Sequence, residues 1–137
     1  MAATFSKLKV KGHDEILVLN SPPSFETELA GLKGVVVHYS PAKMKRISFL
    51  LAFVTSASDI EKVAPVVAAK AEGDPMIWVA YPKKTSKKYR STIDRDSGWD
   101  ALSAVGFRGV AMIAIDDDWS AKRVRRLEYV KPTASQS

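Results

Sequence analysis

The sequence predicts a single α/β domain, a mostly parallel sheet of about six strands that ends in an antiparallel hairpin. Three observations carry this expectation. Short apolar runs alternate along the chain with stretches of helical spacing, the pattern of successive βαβ units. The runs are almost continuously apolar, as strands covered on both faces must be. The last two runs are joined only by the acidic turn Asp116-Asp117-Asp118-Trp119-Ser120, which makes a hairpin. A chain of 137 residues with 46% hydrophobic and 26% charged residues suits one domain with one real core.

The first strand is Ile16-Leu17-Val18-Leu19, stopped by Asn20-Ser21-Pro22-Pro23. Residues 24–29 read as a short helix with Ser24 as its N-cap. Thr27 stands where a capping box needs Glu or Gln, while Glu26 and Glu28 suit the positive end of the helix dipole. Gly31 or Gly34 stops it. Val35 to Tyr39 is the second strand, and Ile47 to Val54 the third and most apolar. The link from Tyr39 to Ile47 is short for a parallel crossover, so either it is an extended crossing or the second strand runs antiparallel.

A helix starts at Ser56 or Ser58, with Ile60, Val63, Ala64, Val67, Ala68 and Ala71 at helical spacing. Pro65 predicts a kinked or separate first turn, and Gly73 the end. Met76 to Tyr81 is the fourth strand, stopped by Pro82. Ser97 then caps a helix to about Val105, with Trp99, Leu102 and Val105 inward and Gly106 closing it. Val110 to Ile115 is the fifth strand. Ala121 to Tyr129 is the sixth, antiparallel and at or near an edge. Right-handed crossovers then give a three-layer, Rossmann-like arrangement. The body spans 11–130, with 1–10 a flexible start and 131–137 a polar, disordered tail.

The absence of cysteine excludes disulfides, thiolate metal sites and a cysteine nucleophile. There is no signal-like apolar run at the start and no stretch of the ~20 apolar residues that a membrane helix needs. A cytoplasmic location with no membrane partner is the expectation. Net charge is +6, and the excess is local. Six basic residues (Lys83, Lys84, Lys87, Lys88, Arg90 and Arg95) face one acid, Asp94, between 83 and 95. A second run is Lys122, Arg123, Arg125 and Arg126. Such clusters attract phosphate, nucleic acid or an acidic protein. The plain alternative is a solvated loop that aids solubility.

In an open α/β sheet, ligands bind outside the carboxyl ends of the strands. The candidate ligand residues on that rim are Asn20, Ser21, Ser56, Lys83, Lys84, Asp96, Trp99, Asp116, Trp119 and Ser120. Lys83 and Lys84 would hold an anion above the helix start near Ser97, whose free N–H groups also favour negative charge. Asp94, Asp96 and Asp100 either cap that helix or pair with Lys83, Lys84 or Arg95. The three consecutive aspartates either make the turn or offer oxygen ligands to Mg²⁺; no metal site is assigned. Trp99 and Trp119 are buried anchors or stacking surfaces. Nucleic-acid contacts, the weakest option, would use Lys87, Lys88, Arg90, Arg95, Arg123 and Arg125. His13 and His38 offer no convincing triad, and no P-loop, dinucleotide fingerprint or zinc pattern is present, so no catalytic residue is assigned.

Three segments together carry a resemblance: Ile16 to Glu26, Trp78 to Lys84 with Asp94 to Trp99, and Ile115 to Ala121. They resemble the bacterial domain-of-unknown-function family 3052 from about Lys11 to Arg126, a likeness that implies no activity. The order helix, Gly73, strand, Pro82, helix, strand and hairpin is also similar to the second half of class I methyltransferases. There the first strand ends in a glycine-rich loop that lets the cofactor approach the backbone. Here Asn20-Ser21-Pro22-Pro23 has no glycine, and Ser40-Pro41 rather than an acid follows the second strand. Both departures argue against S-adenosylmethionine, so no cofactor is expected. The reading reached is a non-catalytic binding or regulatory domain with a basic rim. The alternative is an enzyme or cofactor-binding relic acting on a small phosphorylated or carboxylated ligand.

Overall fold

A computed structural model describes residues 8, 10, 12–40, 44–71, 74–93 and 98–127. Its sheet has six strands: β1 (Glu15–Leu19), β2 (Val36–His38), β3 (Phe49–Phe53), β4 (Met76–Pro82), β5 (Phe107–Ala114) and β6 (Trp119–Arg126). Their spatial order is β2-β1-β3-β4-β6-β5. The first four are parallel to one another, and β6 runs antiparallel between β4 and β5. The α/β, mostly parallel architecture with a closing hairpin is as the sequence predicts.

The strand of unsettled direction, β2, is parallel to β1, with Glu15 opposite Val36 and Leu17 opposite His38. Its length explains how the short link suffices. A three-residue strand advances only ~10 Å, so the 39–48 link has little distance to recover before β3.

Apolar continuity places β3 at the centre: all five of its residues are buried. One face of the sheet packs Leu17, Leu50, Ile77 and Val124 against Ile60, Val63 and Val67 of helix α2 (Ala57–Lys70) and Leu102 of α3 (Asp100–Ala104). The other face packs Ile16, Val18, Phe53 and Trp78 under Leu8, Val10 and Phe25. Buried Trp78 donates its indole N–H to the Leu8 carbonyl at 2.9 Å, tying Leu8 to the sheet.

Several local expectations are corrected. Ser24 does not cap a helix; it lies within a 3-10 turn, Pro23–Phe25, that leads into the short helix α1 (Glu26–Ala30). Pro23 presets the first helical φ, and Phe25 is buried edge-on against Phe53 at 5.0 Å. Pro65 breaks nothing: α2 continues through it. It sits on the exposed face, so the carbonyl left without its i+4 N–H partner belongs to exposed Glu61. Gly73 and Ser97, the expected stop and cap, lie outside the described residues. Strand β6 starts two residues earlier than expected; it lies near the edge, as expected, one strand in from it. Its Ala121 and Val124 are buried, whereas Val110 and Met112 of β5 are partly exposed at the true edge. No described helix is long and apolar enough to cross a membrane.

Candidate functional site

The sheet order fixes where a ligand crevice lies. From β1 the chain goes to β2 on one side and to β3 on the other, so the order reverses at β1 and opens a crevice beyond its carboxyl end. Asn20 ends β1 there with φ of 58°, in the left-handed region. Asn tolerates that conformation better than branched residues do. The turn this makes is of the kind a glycine would supply. Beside it, Ser21, Glu26, Leu29, Ala30 and Tyr39 line a cleft of about 330 Å³. Tyr39, just past β2, is 60% exposed. The cleft therefore offers an apolar wall, an open aromatic ring, a hydroxyl and a carboxylate.

On the other side of the crevice, Ser56 is engaged by the helix it starts. Its Oγ accepts the Asp59 N–H at 3.2 Å. The Asp59 carboxylate reaches back to the Thr55 N–H and hydroxyl at 2.9 and 3.1 Å. This reciprocal cap orders the end of β3. Its Ser-x-x-Asp signal stood in the sequence, although Asp59 was not singled out.

The basic segment after β4 is a built wall. Lys83 N–H donates to the Asp118 carbonyl at 2.8 Å, and Ser86 Oγ donates to the Asp118 carboxylate at 2.9 Å while accepting the Tyr89 N–H at 3.1 Å. The Tyr89 ring packs on Trp119 with centroids 4.9 Å apart. At the far end Thr92 N–H donates to the Thr55 carbonyl at 2.9 Å, and Ile93 is buried beneath α2 and α3. The segment thus crosses the rim from the β5–β6 turn to the end of β3. It borders an open cleft of about 600 Å³ lined by Lys83, Lys84, Lys87 and Arg90 with the hydroxyls of Ser86 and Thr92. Lys88 is exposed and does not line it. Among the described residues no carboxylate pairs with Lys83, Lys87 or Arg90. Ser86, Tyr89 and Thr92 were missed in the sequence because their role depends on Asp118, Trp119 and Thr55, all distant along the chain.

The acidic turn is structural. One Asp116 carboxylate oxygen accepts the N–H groups of Asp118 and Trp119, both at 2.8 Å, and Asp118 anchors the basic loop. No described group of three or more His, Asp or Glu side chains is arranged to hold a metal ion. Ser120 lies in β6 opposite Tyr81. Trp99 and Trp119 are only 8% and 3% exposed and belong to opposite faces of the sheet, so they form no shared stacking platform. Trp99 instead meets Tyr81 edge-on at 5.6 Å and carries Lys122 Nζ 4.4 Å from its ring centroid. Asp96 and Arg95 lie outside the described residues.

Among the described residues the two basic runs form no continuous track. Strand β6 runs antiparallel to β4, so Trp119 meets Pro82 at the carboxyl rim while Arg125 lies near the amino rim. There Arg125 donates two hydrogen bonds to Asp74, at 2.9 and 2.5 Å. These bonds chiefly hold the Asp74 carboxyl below its ordinary pKa, partly opposed by burial, with the charges of Arg125 and Arg123 adding to the lowering. The same bonds raise Arg125. Arg126 donates to the Ala71 carbonyl and lies over the Phe107 ring. The Arg123 Nε is buried without a described partner.

No family model and no curated protein sequence matches the chain. Solved structures do. A SAM-dependent methyltransferase from Aquifex aeolicus superposes with a TM-score of 0.62 at 12% identity, over 89% of this chain and 87% of that one. The N-methyltransferase NodS from Bradyrhizobium japonicum gives 0.54 at 9% identity, over 91% and 81%. The glycopeptide N-methyltransferase MtfA gives 0.55 at 10% identity, over 90% and 94%. At these identities the likeness establishes a shared fold, the methyltransferase-like Rossmann arrangement, across almost the whole chain. It corrects two expectations. A non-catalytic binding or regulatory domain is not the reading these neighbours favour, since they are enzymes by name. The exclusion of S-adenosylmethionine also falls, because the neighbours include SAM-dependent enzymes. Its main premise, the missing glycine, loses force once Asn20 supplies a left-handed turn at the end of β1.

Proposed function

We propose that this chain is an S-adenosylmethionine-binding domain of the methyltransferase type, with its cofactor crevice at the carboxyl end of β1. The observation that carries the reading is the coincidence of three features at one place. The strand order reverses there, Asn20 turns left-handed, and the Ser21–Tyr39 cleft opens beside them. The donor set suits the group. Leu29 and Ala30 give an apolar wall, Tyr39 an aromatic face for a purine, and Glu26 a carboxylate for ribose hydroxyls or an ammonium. When bound, S-adenosylmethionine supplies an electrophilic methyl group. The chain's own contribution is placement. The Asn20 turn leaves the backbone open to the ligand, and the Thr55–Asp59 cap keeps the neighbouring strand end fixed. The Tyr81 to Lys84 and Asp116 to Trp119 segments support membership of family 3052, which on this reading is a family of such domains.

Titration calorimetry with S-adenosylmethionine tests the reading. Saturable binding is expected, with a matching rise in melting temperature. Ala30→Trp, at an exposed position, fills the cleft and should abolish binding while leaving the melting temperature of the ligand-free protein within a few degrees. Absence of binding to the wild-type protein, or binding unchanged in Ala30→Trp, overturns it.

A further inference from the structure

We propose that the open cleft bordered by the 83–93 loop is a site for a phosphate-bearing small molecule. The inference deepens the reading above by naming the chemical class of substrate, and it stands on different residues. Lys83, Lys87 and Arg90, none of them paired with a carboxylate among the described residues, line one cleft of about 600 Å³, the size of an ordinary small-molecule site. A phosphate ester carries about −1.5 to −2 charges near neutral pH, so a diphosphate matches this concentration of cations. Ser86 and Thr92 place hydroxyls in the same wall.

A solvated lysine loop would have neither fixed ends nor a floor. This one is fastened to Asp118 through Lys83 N–H and Ser86 Oγ, to Trp119 through the Tyr89 ring, and to Thr55 through Thr92 N–H. Holding like charges together in this way is unfavourable by itself, and a bound polyanion relieves it through charge-assisted hydrogen bonds. Thr92 sits on Thr55, at the end of β3, so the cleft adjoins the crevice at the end of β1.

A nucleic-acid strand fits the geometry less well. It needs a run of cations along its backbone, and three of the four cations of the second basic run are engaged elsewhere. Arg125 is on Asp74, Arg126 on the Ala71 carbonyl, and Lys122 over Trp99.

The test is calorimetry with inorganic pyrophosphate at low salt, in the absence of S-adenosylmethionine. Wild type and the exposed control Lys33→Gln/Lys45→Gln should bind alike. Lys83→Gln/Lys87→Gln should bind at least about tenfold more weakly, because two charge-assisted contacts are lost. Melting curves of all three proteins establish that each is folded. Pyrophosphate that fails to bind the wild type, or binds the cleft variant equally well, overturns the proposal. So does a single-stranded oligonucleotide that binds more tightly than pyrophosphate and is weakened by Arg123→Gln as much as by the cleft variant. S-adenosylmethionine binding is measured separately on the same proteins, so failure of the phosphate site leaves the cofactor result readable, and the reverse holds too.

Discussion

The two ends of the sheet both hold cations and use them in opposite ways. At the amino end, Arg125 is bidentate on Asp74 and Arg126 is hydrogen-bonded to the Ala71 carbonyl. At the carboxyl end, Lys83, Lys87 and Arg90 line an open cleft and meet no carboxylate among the described residues. The amino end closes the structure on itself, while the carboxyl end leaves charge available. Net charge alone does not separate these roles, because what matters is whether a partner already stands within reach.

The comparison is broken most severely at Trp119, whose ring supports both Phe53 and Tyr89. Trp119→Ala should cost about 3–5 kcal/mol and release the basic loop, seen as a large fall in denaturant midpoint with faster tryptic cleavage at Lys87 and Lys88. A local strain test comes next. Asn20→Val forces a branched residue into the left-handed region and should destabilise by about 1–2 kcal/mol. Asn20→Gly should be nearly neutral, and paired denaturant melts check both. Ser86→Ala removes one tie to Asp118 and one to the Tyr89 N–H. It should cost about 1 kcal/mol, with faster amide exchange over 84–91 and none of that change at the amino end.

The smallest effect belongs to the amino end. Asp74→Asn should cost about 0.2–1 kcal/mol at neutral pH, as for a partly exposed ion pair. The folded Asp74 carboxyl titrates below its ordinary value of 3.8, so its stabilising contribution is fully present above that value and is lost as the pH falls through the lower, folded one. Melts of wild type and Asp74→Asn should therefore converge at acid pH. A gap that persists there would contradict the pairing.

The fold was legible because apolar runs and their stops are local signals. Leu19 before Asn20, the wholly apolar β3 and Pro82 after Tyr81 each announce themselves within a few residues. Strand β6 was legible as lying at or near an edge, but its place one strand in from the edge was not. Its arginines alternate with Ala121 and Val124, and only the pairing with β4 shows that both sides are occupied. Within the candidate site, Lys83 and Lys84 stood out in the sequence by their charge. Tyr39 was missed because an aromatic residue after a short strand looks like part of the strand until its ring is seen exposed. Ser56, Asp116 and Trp119 lie near the rim, yet each is engaged in capping, turning or packing. Sequence pattern shows where such residues lie, whereas their availability depends on neighbours far along the chain.

Backbone amide NMR during titration with S-adenosylhomocysteine tests the central claim most directly, because it reports the place of binding as well as its occurrence. The account predicts saturable shifts at Asn20, Ser21 and Tyr39 with smaller ones at Thr55, and none at Asp74 or Arg125. Shifts absent from Asn20 to Ser21 at saturation, or centred on the amino end of the sheet, would contradict it.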